Sequence, residues 1–195
     1  MAVMRRVTSI VAALLGTVTA SVLAVSAPVG AELRISNLSV FLNDFDVTVH
    51  VVLLGAIPAS LYESLQTGIP THVRLRVELW QYARFLPDRR VQSRTVERQI
   101  TYNVLTKEYK VVSLKGEQRE AHLTKDLREA QRVISELRVG ALVAASSLSP
   151  TELYYVRVRS TVAASGLNSW FARYTGDAEE TDWVRSNLLT VTRSQ

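Results

Sequence analysis

Twelve residues, "THVRLRVELWQY" from Thr71 to Tyr82, constrain this chain more than any other stretch. Val73, Leu75, Val77 and Leu79 take every second position, and Arg74, Arg76, Glu78, Trp80 and Tyr82 lie between them. Successive side chains of a strand point to opposite faces, so this is a strand with one buried face and one polar face. A half-buried strand of that length needs neighbours in a sheet and a second layer over its apolar side. The stretch "YYVRVRS" repeats the demand, with Tyr154, Val156 and Val158 on one side and Tyr155, Arg157 and Arg159 on the other.

The same periodicity predicts strands at 33–42, with a phase shift near Ser36-Asn37 that marks a bulge, at 47–53 after the turn "NDFD", at 91–105 and at 108–114. Thr106-Lys107 is the expected turn between the last two. Two segments have the helical period instead. "PASLYESLQTG" starts on Pro58, places Leu61 and Leu65 on one face and stops at Gly68, with Pro70 preventing continuation. Lys125 to Leu137 places Leu127, Ala130, Ile134 and Leu137 on one stripe. A short strand at 141–145, a helical turn at 167–174, a loop "GDAEETD" and a last strand at 183–192 complete the reading. The pattern predicts a mainly β chain, an immunoglobulin-like β-sandwich of about seven strands with two inserted helices.

Leu148, Pro150, Tyr154, Val156 and Val158 resemble the matching stretch of fibronectin type III domains. In such sandwiches a tyrosine near the start of the penultimate strand bonds through its hydroxyl to backbone a few residues upstream, the tyrosine corner. That predicts Tyr154 buried and bonded, Tyr155 on the opposite face, and 71–82 beside 153–162 in one sheet. More broadly, "LYESLQTGIPTHVRLRVELWQ", "RQITYNVLTKEYKV" and "ELYYVRVRS" are similar to an uncharacterised family of exported bacterial proteins, the domain-of-unknown-function family numbered 4390. The resemblance implies a signal sequence, a single domain and a gene often found beside a nitrogen-type sensor histidine kinase. It supplies no catalytic residues.

The first residues carry Arg5 and Arg6, an acid-free apolar run from Val7 to Val25, and then Val29-Gly30-Ala31. This is the pattern of a signal peptide cut after Ala31, so the expected organisation is residues 1–31 as signal peptide and 32–195 as one sandwich domain. The run from 7 to 25 is long enough to serve as an uncleaved anchor instead. Either way the expected location is periplasmic or secreted, with membrane contact only through that segment if it is retained. All 18 acidic residues and 21 of the 23 basic ones follow Ala31, so the exported part carries only +3. That is too thin a basic field for nucleic acid binding. The chain has no cysteine, which excludes disulfides and thiolate chemistry.

Little else in the sequence points to catalysis. His50, His72 and His122 are far apart, "NDFD" and "DAEETD" lack the order of a calcium loop, and no elbow for a nucleophilic serine or glycine-rich phosphate loop occurs. Glu78 and Glu97 read as solvated strand residues. No cofactor is expected, and the chain reads as non-enzymatic. The remaining signal is the polar face on which Arg74, Arg76, Arg157 and Arg159 accompany Trp80, Tyr82 and Tyr155, the residue types that dominate binding hot spots. Four arginines on adjacent strands repel one another unless something acidic meets them. The expected partner is an acidic protein or an anionic envelope polymer. Within the chain, Glu78 or the acidic run Asp177 to Asp182 folding back would meet them instead. Two other classes stay open: a small-ligand or glycan-binding module, and an unrecognised hydrolase.

Overall fold

The computed structural model describes residues 32–42, 45–164 and 178–191. Eleven strands are present among them: β1 Arg34–Leu42, β2 Val47–Leu54, β3 Thr71–Tyr82, β4 Arg89–Asn103, β5 Glu108–Lys115, β6 His122–Thr124, β7 Glu136–Val139, β8 Leu153–Ala164, β9 Ala178–Glu180, β10 Val184–Arg185 and β11 Leu189–Thr190. Helix α1 spans Ala59–Gln66 and α2 spans Leu127–Ser135. β1, β2 and β7 form a small sheet in that order, and the large sheet runs β10-β8-β3-β4-β5-β6, with β9 and β11 also pairing with β8. The expected sandwich is present, with a strand order like that of variable-type immunoglobulin domains, in which extra strands extend the sheet beyond the third. The count exceeds seven because five strands are only two to four residues long.

The alternation has the predicted effect. Val47, Val49, Val51 and Leu53 of β2 meet Val73, Leu75, Val77 and Leu79 of β3 and Val156 and Val158 of β8 in one core, nearly all fully buried. The register of β1 on β2 shifts between Ile35 and Asn37, at the predicted bulge. α1 begins after Pro58 and ends in a Schellman motif: Gly68, at φ +91°, donates to the Leu65 carbonyl and Ile69 to that of Ser64. The neighbouring β3 and β8 pair along their whole lengths, from Thr71 opposite Ala164 to Tyr82 opposite Leu153.

Four expectations are corrected. The second helix stops at Ser135 and turns directly into β7, so Leu137 is a strand residue opposite Val51 and not the end of a helical stripe. Leu137 is fully buried from the strand, so it continues the apolar spacing of Ala130 and Ile134 without being helical. The strand expected at 141–145 is a single bridge between Asp46 and Ala144 followed by one turn of 3-10 helix. Ala178–Glu180, expected in a loop, pairs with Thr161 to Ala163, and the last strand is two short pieces, β10 and β11. β8 is therefore followed by three short strands and is not the penultimate one. The signal segment 1–31 and the helical turn expected at 167–174 lie outside the described residues, as do Asn43 and Asp44 of the "NDFD" turn.

Candidate functional site

The tyrosine corner is formed. Tyr154 is buried and its hydroxyl accepts from the Ser149 backbone N–H at 3.0 Å. With Tyr154 turned inward, Tyr155, Arg157 and Arg159 lie on the outer face of the large sheet, where Trp80 is opposite Tyr155, Glu78 opposite Arg157 and Arg76 opposite Arg159. All seven predicted residues share this face. What surrounds them differs from the expectation.

The aromatic rings and guanidinium groups interleave. The Arg185 guanidinium lies 3.6 Å from the Tyr155 ring centroid and 5.9 Å from that of Tyr82. Tyr155 stacks with Trp80 at 6.5 Å and 12°. Arg157 lies 4.1 Å from Trp80 and 4.4 Å from Trp183, and Arg159 lies 4.8 Å from Trp183. Such contacts are favoured because the ring face is electronegative. The C-terminal residues Trp183 and Arg185 thus cover the ladder, and Tyr155 is only 6% exposed, not the open aromatic that alternation alone suggests. Its hydroxyl donates to Asp88 at 2.8 Å. Burial, helped by that bond, pushes the Tyr155 phenol above its ordinary value.

The expected repulsion among arginines is met inside the chain. Glu78, at 2% exposure, is not a solvated residue. Its carboxylate accepts from Arg157 Nε at 2.8 Å, from Trp80 Nε1 at 2.9 Å and from Arg90 at 3.3 Å. Burial pushes its carboxyl up, but the bonds from Arg157 and Trp80 and the charges of Arg157 and Arg90 outweigh that and hold it below the ordinary range. Glu97, half-buried, takes Arg74 at 3.1 Å and His72 at 3.3 Å. Glu180, from the acidic run, takes Arg159 at 3.1 Å. Arg76 stays exposed, with no hydrogen bond or ion pair among the described residues.

Sequence reasoning missed a second polar centre. Arg98 of β4 follows the inward phase of Val96 and Ile100, and is 1% exposed. Glu117 holds it in a two-pronged pair, Nε and one terminal nitrogen each at 2.8 Å from the carboxylate. The other terminal nitrogen donates to the Val133 carbonyl and, at 2.6 Å, to that of Glu136, where α2 becomes β7. Burial lowers Arg98 from its ordinary value, and Glu117 opposes that. The signal was present, since a charged residue stands where the alternation demands an apolar one.

The end of β2, α1 and α2 enclose a groove of about 730 Å³, lined by Leu54, Ala56, Ile57, Tyr62 and Leu127, with Gln131, Arg132 and Ser135 along one wall. Among the described residues no group of three or more His, Asp or Glu side chains stands close enough to hold a metal ion. No described helix is long and apolar enough to cross a membrane.

Fold and site together define an immunoglobulin-like sandwich whose outer face carries a ladder of arginine and aromatic side chains, paired with carboxylates of the chain except at Arg76. The model of a family described as Domain of unknown function (DUF4390) matches residues 30–183, and the chain belongs to that family. No curated protein and no solved structure matches it.

Proposed function

We propose that the protein is an exported, non-catalytic binding domain of the bacterial envelope that captures an acidic partner through the outer face of the large sheet. Arg76 carries this reading. It is exposed, stands beside Arg74 and Arg159, whose charges are each met by one carboxylate, and has no counter-charge among the described residues. A cation so placed is ready for an acidic group from outside. The carboxylates of this face are engaged by arginine, indole, tyrosine or backbone donors, an arrangement suited to rigidity and not to proton transfer to a substrate. Export rests on the N-terminal sequence, and the sensory part of a neighbouring kinase is one partner that the family resemblance suggests.

The test is capture from envelope extract by the wild-type chain and by Arg76→Glu. Because Arg76 touches no acidic group among the described residues, the melting temperature should stay within the small range of a surface change. Capture of an acidic protein or polymer should be lost, and in the wild type should weaken with salt. Unchanged capture by Arg76→Glu would reject this face. A second reading, a small-ligand module, is favoured by the groove between the helices, whose volume is within the range of ligand sites. Ala59→Trp, at a residue that lines the groove, would then abolish ligand binding and leave partner capture intact.

A further inference from the structure

The connection between β3 and β4, "ARFLPD", presents two apolar side chains to water: Phe85 is 89% exposed and Leu86 75%. Its shape is fixed from within. The Asp88 carboxylate accepts from the Ala83 backbone N–H at 3.0 Å and from the Tyr155 hydroxyl at 2.8 Å, closing the turn across its base. Those two bonds, the first the stronger influence, hold the Asp88 carboxyl below its ordinary range, so the clamp stays ionised. Phe85 and Leu86 are therefore held outward, followed by Pro87. Arg84 stands over the Phe85 ring at 5.4 Å, and Arg89 and Arg90 follow the turn, all three exposed, Arg89 bonded to Gln81 at 2.8 Å and Arg90 to Glu78 at 3.3 Å. Asp88 is the only acid of the turn, and its oxygens face inward. Phe45, 81% exposed, belongs to the same end of the sandwich, because Asp46 bridges Ala144 just before the chain enters β8 opposite Tyr82.

Exposed apolar side chains flanked by cations match the two layers of a membrane surface, an apolar interior beneath a negatively charged headgroup plane. A soluble acidic partner would satisfy the arginines and leave Phe85 and Leu86 in water. We propose that the β3–β4 turn docks on an anionic lipid surface, Phe85 and Leu86 entering the headgroup boundary and Arg84 and Arg89 meeting lipid phosphates. This site lies at the opposite end of β4 from the β4–β5 turn, whose Leu105 is 93% exposed, and it adjoins the outer face at Tyr155 without including Arg76.

The chain has no cysteine, so a single introduced thiol can carry an environment-sensitive fluorophore. The full chain is labelled at Leu86→Cys or, as control, at Leu105→Cys, roughly 50 Å away along β4. Each is mixed with vesicles of equal parts phosphatidylglycerol and phosphatidylcholine. The Leu86 label should shift to the blue and brighten, and the Leu105 label should not. Pure phosphatidylcholine or raised salt should remove the response. Arg84→Ser with Arg89→Ser, or Phe85→Ser alone, should weaken vesicle binding roughly tenfold or more. A response at Leu105 without one at Leu86 would mean that the chain is held by its N-terminal segment and overturns the proposal. Equal response to neutral vesicles, or to polyglutamate in place of vesicles, overturns it as well.

Discussion

The molecule contains two buried arginine–carboxylate centres of opposite construction. In the outer-face ladder the fully buried member is the acid, Glu78, and its arginines, Arg157 and Arg90, are 31% and 56% exposed. At the edge of the core the fully buried member is the base, Arg98, and its acid, Glu117, is 17% exposed. A carboxylate left without donors can take a proton and become neutral, whereas a guanidinium keeps its charge at any ordinary pH. The ladder can therefore relax when its pairing fails, and the Arg98 centre cannot. The first suits a surface and the second an invariable part of the frame.

Breaking the Arg98 centre should have the largest effect. Glu117→Gln leaves a buried, unneutralised guanidinium and should cost about 3 kcal/mol in denaturant unfolding. Adding Arg98→Met should restore part of that loss, and a double variant no more stable than the single one would show that the isolated charge was not the cause. Glu78→Gln should cost less, about 2 kcal/mol, because Arg157 and Arg90 can turn to water. The Glu78 carboxyl titrates in the folded chain below its ordinary value of 4.5, so its contribution is complete above that pH and is lost as pH falls through the folded value. The gap between wild type and Glu78→Gln should therefore narrow below pH 4.5, and a gap that is constant with pH would refute the pairing. Smallest is the corner. Tyr154→Phe leaves the Ser149 N–H unpaired and should cost about 1 kcal/mol. Tyr155→Phe should cost something as well, since its hydroxyl holds Asp88, so the two tyrosines differ less than their opposite faces alone suggest.

Much of this fold was legible because period-2 alternation is a local signal that the core rewards residue by residue. β3 has the predicted bounds, the β1 bulge is in place, and β3 and β8 are neighbours as the tyrosine corner required. The short strands were not legible. β9, β10 and β11 have two or three residues each, too few to show a period, and exist because β8 offers them an edge. The seven residues of the candidate site were placed on one face correctly, yet their environment was not, because the covering groups Trp183, Arg185 and Glu180 come from a segment whose pairing only the tertiary fold decides. Arg98 was visible as an exception to its own strand's pattern.

The bond from Arg98 to the Glu136 carbonyl has a mechanical meaning. The two layers of a sandwich touch through apolar side chains, which resist separation but have little preference for one sliding position over another a fraction of an ångström away. Here a side chain from one layer grips the main chain of the other at the first residue of β7, and its second grip is on the last turn of α2. Slippage of one sheet over the other would stretch directional bonds instead of merely rearranging contacts. That single arginine acts as a rivet, resisting displacement of one layer over the other at one point near the edge of the core.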